Sequence, residues 1–289
     1  MKRRGLLPST NSAFSTSDYL KVLDEELQTF IVPLLMEVRE EYLVSYEDVA
    51  LDSSNSYYMP ERSVVGGLRD VMLSDGAGGY QTLSRYEPDQ ISAFPTSAGN
   101  ASGFYVEGNS IILVPAQASG TLRMKYYERP NRIVATTAVS EVASVLGNVV
   151  TMTSTLPSTF LTTVTYDVIK GKPGFDTLGK NFTASAVGSN TVTFGSTPPS
   201  DIAAGDFVCL SQESPIPQIP VELHSLLAQR VAATVLAALG DDKSERAFNI
   251  AKDMEQRARK LLSPRVQGAN RYIVNRYGVG MGGRFRRGY

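Results

Sequence analysis

Residues Pro220 to Leu262 spell out two amphipathic helices back to back, and they constrain the fold more than any other stretch. In the first, Leu223, Leu226, Leu227, Val231, Thr234, Val235, Ala238 and Leu239 recur at three- and four-residue spacing, which puts them on one helix face. Pro220 suits the first turn and Gly240 is a C-terminal stop. Asp241 and Asp242 are expected to cap a second helix whose buried stripe is Ala247, Ile250, Ala251, Met254, Ala258 and Leu261, ended by Ser263-Pro264. So short a link predicts antiparallel neighbours. Two helices in contact still leave apolar flanks, so a third partner is required.

That partner is expected near the start of the chain. Ser15 to Asp18 reads as a capping signal, and Leu20, Leu23, Leu27, Ile31, Leu34, Leu35 and Val38 carry a helical stripe to about Val44. Pro33 lies inside it and predicts a kink or two short helices. From Tyr46 to Arg129 the period becomes alternating. Tyr57 to Pro60, Leu68 to Leu73, Phe104 to Val106, Ile111 to Val114 and Leu122 to Tyr127 read as strands. Asp75-Gly76, Gly78-Gly79 and Gly108-Asn109 read as turns, the last making a hairpin, and a short helix is expected near Pro88 to Ile91.

After Pro130 the composition shifts again, with thirteen Thr between Thr137 and Glu213 and few charges, a strand-favouring mixture. Asn148 to Ser158 aligns with Asn190 to Ser200 at an offset of 42, with seven identities over eleven positions. This predicts a duplicated strand-turn unit forming a small barrel or sandwich with pseudo-twofold symmetry, with Val164, Tyr166, Val168 and Phe207, Val208, Leu210 as further strands. Pro215, Pro217 and Pro220 return the chain to the helical hairpin. The expected fold is α+β: a helical bundle built from both chain ends, an antiparallel β segment, and an inserted small β-barrel or sandwich. The expected divisions are 1–136, 137–213, 214–262 and a tail, 263–289.

Chemistry is thin. The chain has one His, one Cys and no Trp, so an intramolecular disulfide and a Cys-based zinc site are excluded, and metal-cluster and thiol-relay chemistry are not expected. His224 reads as a helix-surface side chain and Cys209 as a buried thiol. Gly278 to Gly283 has no P-loop Lys-Ser/Thr pair, and Gly171 to Asp176 reads as a turn-rich loop. Asp70, Asp75 and Asp89 show no acid/base or metal spacing. No signal-like or membrane-spanning apolar run is present, so the chain reads as soluble and unexported, and the sequons at Asn100 and Asn181 as chance. The expectation is a non-enzymatic protein without metal or cofactor.

Charge is distributed unevenly. No acid follows Glu255, while nine basic residues do: Arg257, Arg259, Lys260, Arg265, Arg271, Arg276, Arg284, Arg286 and Arg287. The remainder carries 19 basic against 29 acidic groups, or −10. Arg271-Tyr272, Arg276-Tyr277 and Arg284-Phe285-Arg286-Arg287 through Tyr289 interleave cations with aromatics in a Gly-rich segment that can bury no core of its own. Two partners fit such a segment: nucleic acid, through phosphates and base stacking, or an acidic groove on a protein, through Arg forks and aromatic anchors.

Tyr58-Met59-Pro60, Gly66 to Val71, Gly103 to Asn109 with Ile111 to Pro115, Leu122 to Pro130, and Ile219 to Ala228 with Leu239-Gly240-Asp241 together resemble the head-to-tail adaptor proteins of tailed bacteriophages. The similarity covers most of residues 20 to 262 and rests on packing and turn patterns; the β-insertion departs from minimal all-helical adaptors. The resemblance implies a structural virion protein at the head–tail interface, made in the host cytoplasm. It implies a homo-oligomeric ring, a dodecamer, beneath the portal protein, with tail or nozzle proteins below and DNA passing through the channel. It further implies that Arg271, Tyr272, Arg276, Tyr277, Arg284, Phe285, Arg286, Arg287 and Tyr289 dock on the portal. The alternative function is nucleic-acid binding through the same tail.

Overall fold

A computed structural model describes residues 14–52, 54–87, 89, 100–116, 119–171 and 176–263. The expected helix near Pro88 to Ile91, the loop after Gly171 and the whole segment after Ser263 therefore lie at least partly outside the described residues. The chain is a mixed helix-and-sheet protein with a closed six-stranded barrel.

Helix α1 spans Thr16–Glu26 and α2 spans Val32–Arg39. Ser15 and Asp18 form a full capping box, each side chain accepting the other's backbone N–H. The N-terminal helical stripe is divided into two short α-helices, as expected, with Pro33 at the start of the second. A π-helical turn at Leu27–Ile31 joins α1 to α2, with Val32 N–H donating to Leu27 O, so the proline falls in the first turn of α2. A 3-10 turn, Glu40–Leu43, then leads into strand β1, Val44–Ala50, where the sequence predicted helix to Val44 and no strand. Its residues are mostly half-buried or exposed on both faces, so the sequence shows no apolar alternation there.

The following strands are β2 (Ser56–Tyr58), β3 (Ser63–Ser74), β4 (Tyr80–Thr82), β5 (Ser84–Arg85), β6 (Gly103–Glu107), β7 (Ser110–Val114), β8 (Thr121–Glu128) and β9 (Arg132–Ile133). They form two four-stranded sheets, ordered β1-β8-β3-β4 and β2-β7-β6-β5. The predicted hairpin turns at Gly108, whose φ of 59° suits glycine. Val71, Leu73, Leu122 and Met124 from the first sheet share one apolar cluster with Tyr57, Phe104, Ile111 and Leu113 from the second.

Strands β10 (Ser140–Leu146), β11 (Val149–Met152), β12 (Thr165–Ile169), β13 (Thr177–Val187), β14 (Thr191–Phe194) and β15 (Phe207–Leu210) close into a barrel, ordered β10-β11-β14-β13-β12-β15. The 42-residue offset seen over eleven positions governs the whole barrel. Val150 pairs with Val192, and Asp167 pairs with Cys209 on the opposite side, so a local twofold axis passes between equivalent residues at both places. Met152 N–H to Asn190 O (2.8 Å) is matched by Phe194 N–H to Asn148 O (2.9 Å). The β10–β11 bulge between Val142 and Ser144 recurs between Ala184 and Ala186. The barrel core follows suit: Val142, Val150, Met152, Phe160 and Tyr166 in one half, Ala184, Val192, Phe194, Ile202 and Val208 in the other.

Close backbone approach fixes one glycine. A Cβ on Gly171 would lie 2.0 Å from the carbonyl oxygen of Gly205, itself at φ +90°. Gly171→Ala is expected to cost about 1–3 kcal/mol by forcing that oxygen aside, measured as a lower urea midpoint.

Strand β16 (Glu213–Ser214) pairs in parallel with β9, and the chain continues into α3, Val221–Ala238, and α4, Ser244–Leu262. Gly240, at φ +68°, ends α3 as a Schellman motif: its N–H donates to Ala237 O and that of Asp241 to Leu236 O. Asp241 does not cap α4. Its carboxylate accepts the N–H of Lys243, one turn early, and the N-cap residue Lys243 makes no side-chain cap bond. Leu261 is 58% exposed and Leu262 takes the buried position, because Ala247, Ala251, Ala258 and Leu262 share the inward phase.

Leu27, Ile31 and Leu35 lie in one buried cluster with Leu223, Leu227, Val231, Val235, Ala251 and Ala258. Glu26 clamps the N-terminal helix to α3 by accepting from Arg230 Nε (2.9 Å) and Thr234 Oγ1 (2.5 Å). The cluster also takes in Ile133 of β9, with Val64 and Tyr127 packed against it, so the helices are buried on sheet residues as well as on one another.

Candidate functional site

The strongest concentration of buried polar chemistry is the joint between the barrel and the rest of the chain. Strands β9 and β16 carry the chain out and back side by side: Arg132 N–H donates to Gln212 O (2.9 Å) and Val134 N–H to Ser214 O (3.0 Å). Beside them, Arg62 leaves the turn before β3 and is only 6% exposed. Its guanidinium reaches the fully buried Asp167 of β12 through Nη1 to Oδ2 at 2.5 Å and Nη2 to Oδ1 at 2.8 Å. Nη2 also donates to Asn181 Oδ1 (2.7 Å) and Ser211 Oγ (2.9 Å).

Local backbone geometry aims further donors at the same carboxylate. Asn181 and Gln212 both have left-handed backbones, with φ of 57° and 62°, and their N–H groups donate to Asp167 at 3.1 and 2.9 Å. Asn131 Nδ2 adds a bond of 3.0 Å. Burial works against the Arg62 charge, but the hydrogen bonds and charge of Asp167 hold its pKa above the ordinary value. Outside this pair, Lys180 Nζ of β13 donates to Glu128 Oε2 (2.6 Å) and Ser45 Oγ (2.9 Å), and Gln218 Nε2 to Thr177 Oγ1 (2.8 Å).

A carboxylate with five donors has no free lone pair for proton transfer, so Asp167 acts here as an anchor. Two clefts flank it. One, of about 400 Å³, is lined by Asp24, Gln28, Glu61, Arg62, Arg132 and Gln212 among others. The other, of about 210 Å³, contains Tyr42, Glu128, Asp176 and Lys180. Burial raises the Asp24 carboxyl, whose Oδ1 is enclosed without a hydrogen-bond partner. Burial first, then the charges of Asp176 and Glu222, push the Tyr42 phenol up to about 12. Among the described residues, no group of three His, Cys, Asp or Glu is placed to hold a metal ion, and no helix is long and apolar enough to cross a membrane.

The nine sequence-predicted docking residues, Arg271, Tyr272, Arg276, Tyr277, Arg284, Phe285, Arg286, Arg287 and Tyr289, all lie outside the described residues, as does the Gly278–Gly283 run. Of the basic residues before them, Arg259 is committed to the fold, bonded to Glu37 (2.5 Å) and Glu255 (3.0 Å). His224 is half-buried with Nε2 3.2 Å from Ile219 O. Burial, reinforced by the charges of Asp167 and Glu213, pushes the Cys209 thiol well above its ordinary range. Asp75 binds its own loop, accepting from Ala77 and Gly79 N–H (both 2.8 Å).

Sequence reasoning did not find Arg62 or Asp167. The available signal was a single carboxylate inside the apolar strand Tyr166–Ile169, at the position where the second half of the repeat has Cys209. Compared with known protein families and with curated proteins, the chain matches no family model and no curated protein.

Proposed function

We propose that the protein is a structural subunit of a homo-oligomeric ring that joins the portal of a bacteriophage head to the tail, its C-terminal segment docking on the portal. The observation that carries this reading is the charge asymmetry: no acid after Glu255, and Arg271, Arg276, Arg284, Arg286 and Arg287 interleaved with Tyr272, Tyr277, Phe285 and Tyr289. Cations set beside aromatics suit a groove with both carboxylates and apolar pockets. Ordering such a segment on binding costs roughly 2–5 kcal/mol, which repetition around a ring offsets through avidity.

The helices from both chain ends serve in this reading as a platform, and residues 137–213 as an inserted domain held to it by Arg62 and Asp167. The site of action is the virion head–tail interface, with tail or nozzle proteins on the far side and DNA crossing the central channel. Binding of the full chain to purified portal protein, compared with a chain ending at Ser263, tests the docking role directly. The full chain is expected to bind and the shortened one to fail while keeping its helical content and melting transition. Tail-dependent binding to oligonucleotides, falling steeply with salt, together with no affinity for portal would favour nucleic-acid binding instead.

A further inference from the structure

The end of α4 borders an apolar cleft. Its last two residues, Leu261 and Leu262, line the space together with Ile219 and Val221 at the start of α3 and with Arg39 and Tyr42 at the end of α2; the volume is about 370 Å³. Val221 is 63% exposed and Leu261 58%, so two large apolar side chains converge in one recess without cover from the described residues.

Acids surround the recess. Glu222 follows Val221 and Glu41 precedes Tyr42, both exposed, and the charges of Asp176 and Glu222 both reach the Tyr42 phenol. Arg39 is the only cation on the lining. Arg259 Nη1 donates to Glu37 Oε1 (2.5 Å), which holds the last turn of α4 against α2. The stretch 18–48, which includes both N-terminal helices, has nine acids against Lys21 and Arg39. We propose that this cleft seats the chain's own C-terminal segment, with Tyr272-Ile273-Val274 on Val221, Leu261 and Tyr42, and with Arg271 and Arg276 on the acids around them.

Position and charge select that occupant. The chain continues for 26 residues beyond Ser263, directly from the lining residues Leu261 and Leu262. Eight residues separate Ser263 from Tyr272, enough to span about 28 Å when extended, and Gly268 among them permits the chain to reverse. The tether therefore holds the segment at a local concentration on the order of millimolar, which an untethered partner of the same chemistry does not reach in solution. Residues 264–289 carry six arginines and no acid, the complement of the acidic stretch 18–48. Tyr272-Ile273-Val274 is their only run of three large apolar residues, and arginine flanks it on both sides. Ordering the segment offsets most of the gain from tethering, so seated and unseated molecules are comparable in number and folding stability hardly registers the contact. The inference goes beyond the portal reading and needs no portal; where both hold, the portal takes the segment from the cleft.

A spin label on the full chain tests it. Asn275→Cys places a nitroxide next to the proposed anchors without replacing them, and the only native cysteine, Cys209, is buried and stays unlabelled. In methyl spectra, Ile219, Val221, Leu261 and Leu262 are expected to broaden strongly, while Leu239, exposed at the far end of α3, keeps its signal. Adding Tyr272→Ser and Ile273→Ser should restore the Val221 and Ile219 signals several-fold. Broadening as strong at Leu239 as at Val221, or unchanged by the two serines, would show a tail that only sweeps the surface and would overturn the proposal. Broadening at Val221 that fades on dilution would overturn it as well, since it would place a neighbouring molecule's segment in the cleft. Loss of portal binding with the Val221 broadening intact would remove the portal reading alone.

Discussion

Arg62→Ala is expected to destabilise the protein by about 3–5 kcal/mol, because it leaves the Asp167 carboxylate buried without its counter-charge. The loss should appear as a lower urea midpoint and as protease sensitivity at the joint around Ile133 and Ser214. Removing both charges, as Arg62→Met with Asp167→Leu, should recover much of it, since the cost lies in the orphaned ion more than in the missing pair. Deleting the barrel altogether gives a sharper contrast. Strands β9 and β16 are direct neighbours, so residues 135–212 can be replaced by about six Gly/Ser residues. Arg62 then faces water, no buried charge is stranded, and the remainder should melt cooperatively. If that remainder is molten, the barrel belongs to the same folding unit as the helices. If Arg62→Ala costs less than about 1 kcal/mol, the ion pair is not what holds the joint.

What the sequence revealed and what it concealed divide along the range of the interactions. Helices α3 and α4 were legible because Leu223, Leu227, Val231, Ala247, Ala251 and Ala258 repeat at helical spacing within one window. The barrel was legible through its duplication, and the hairpin at Gly108 through its turn residues. Strand β1 was hidden because it borders a 3-10 turn and is half-solvated on both faces. Arg62 and Asp167 are 105 residues apart, and nothing local to either predicts the other. Leu261 and Leu262 are both leucine, so only packing decides which turns inward.

The second large effect concerns the segment after Ser263. It supplies most of the basic residues after Glu255 and the interleaved tyrosines, while Arg259 before it is already paired with Glu37 and Glu255. Removal should therefore leave folding stability within about 0.5 kcal/mol of the full chain and abolish attachment, a loss of function without a loss of structure. Tyr272→Ala with Tyr277→Ala should weaken attachment by removing apolar anchors, and charge reversal at Arg284, Arg286 and Arg287 should weaken it in a salt-dependent way.

The most direct measurement is electron microscopy of portal-bearing heads that lack this protein, after adding back either the full chain or the chain ending at Ser263. The full chain is expected to appear as a ring of copies beneath the portal and the shortened chain to leave the portal bare. Rings at normal occupancy with the shortened chain, or no ring with the full one, would contradict the proposed role.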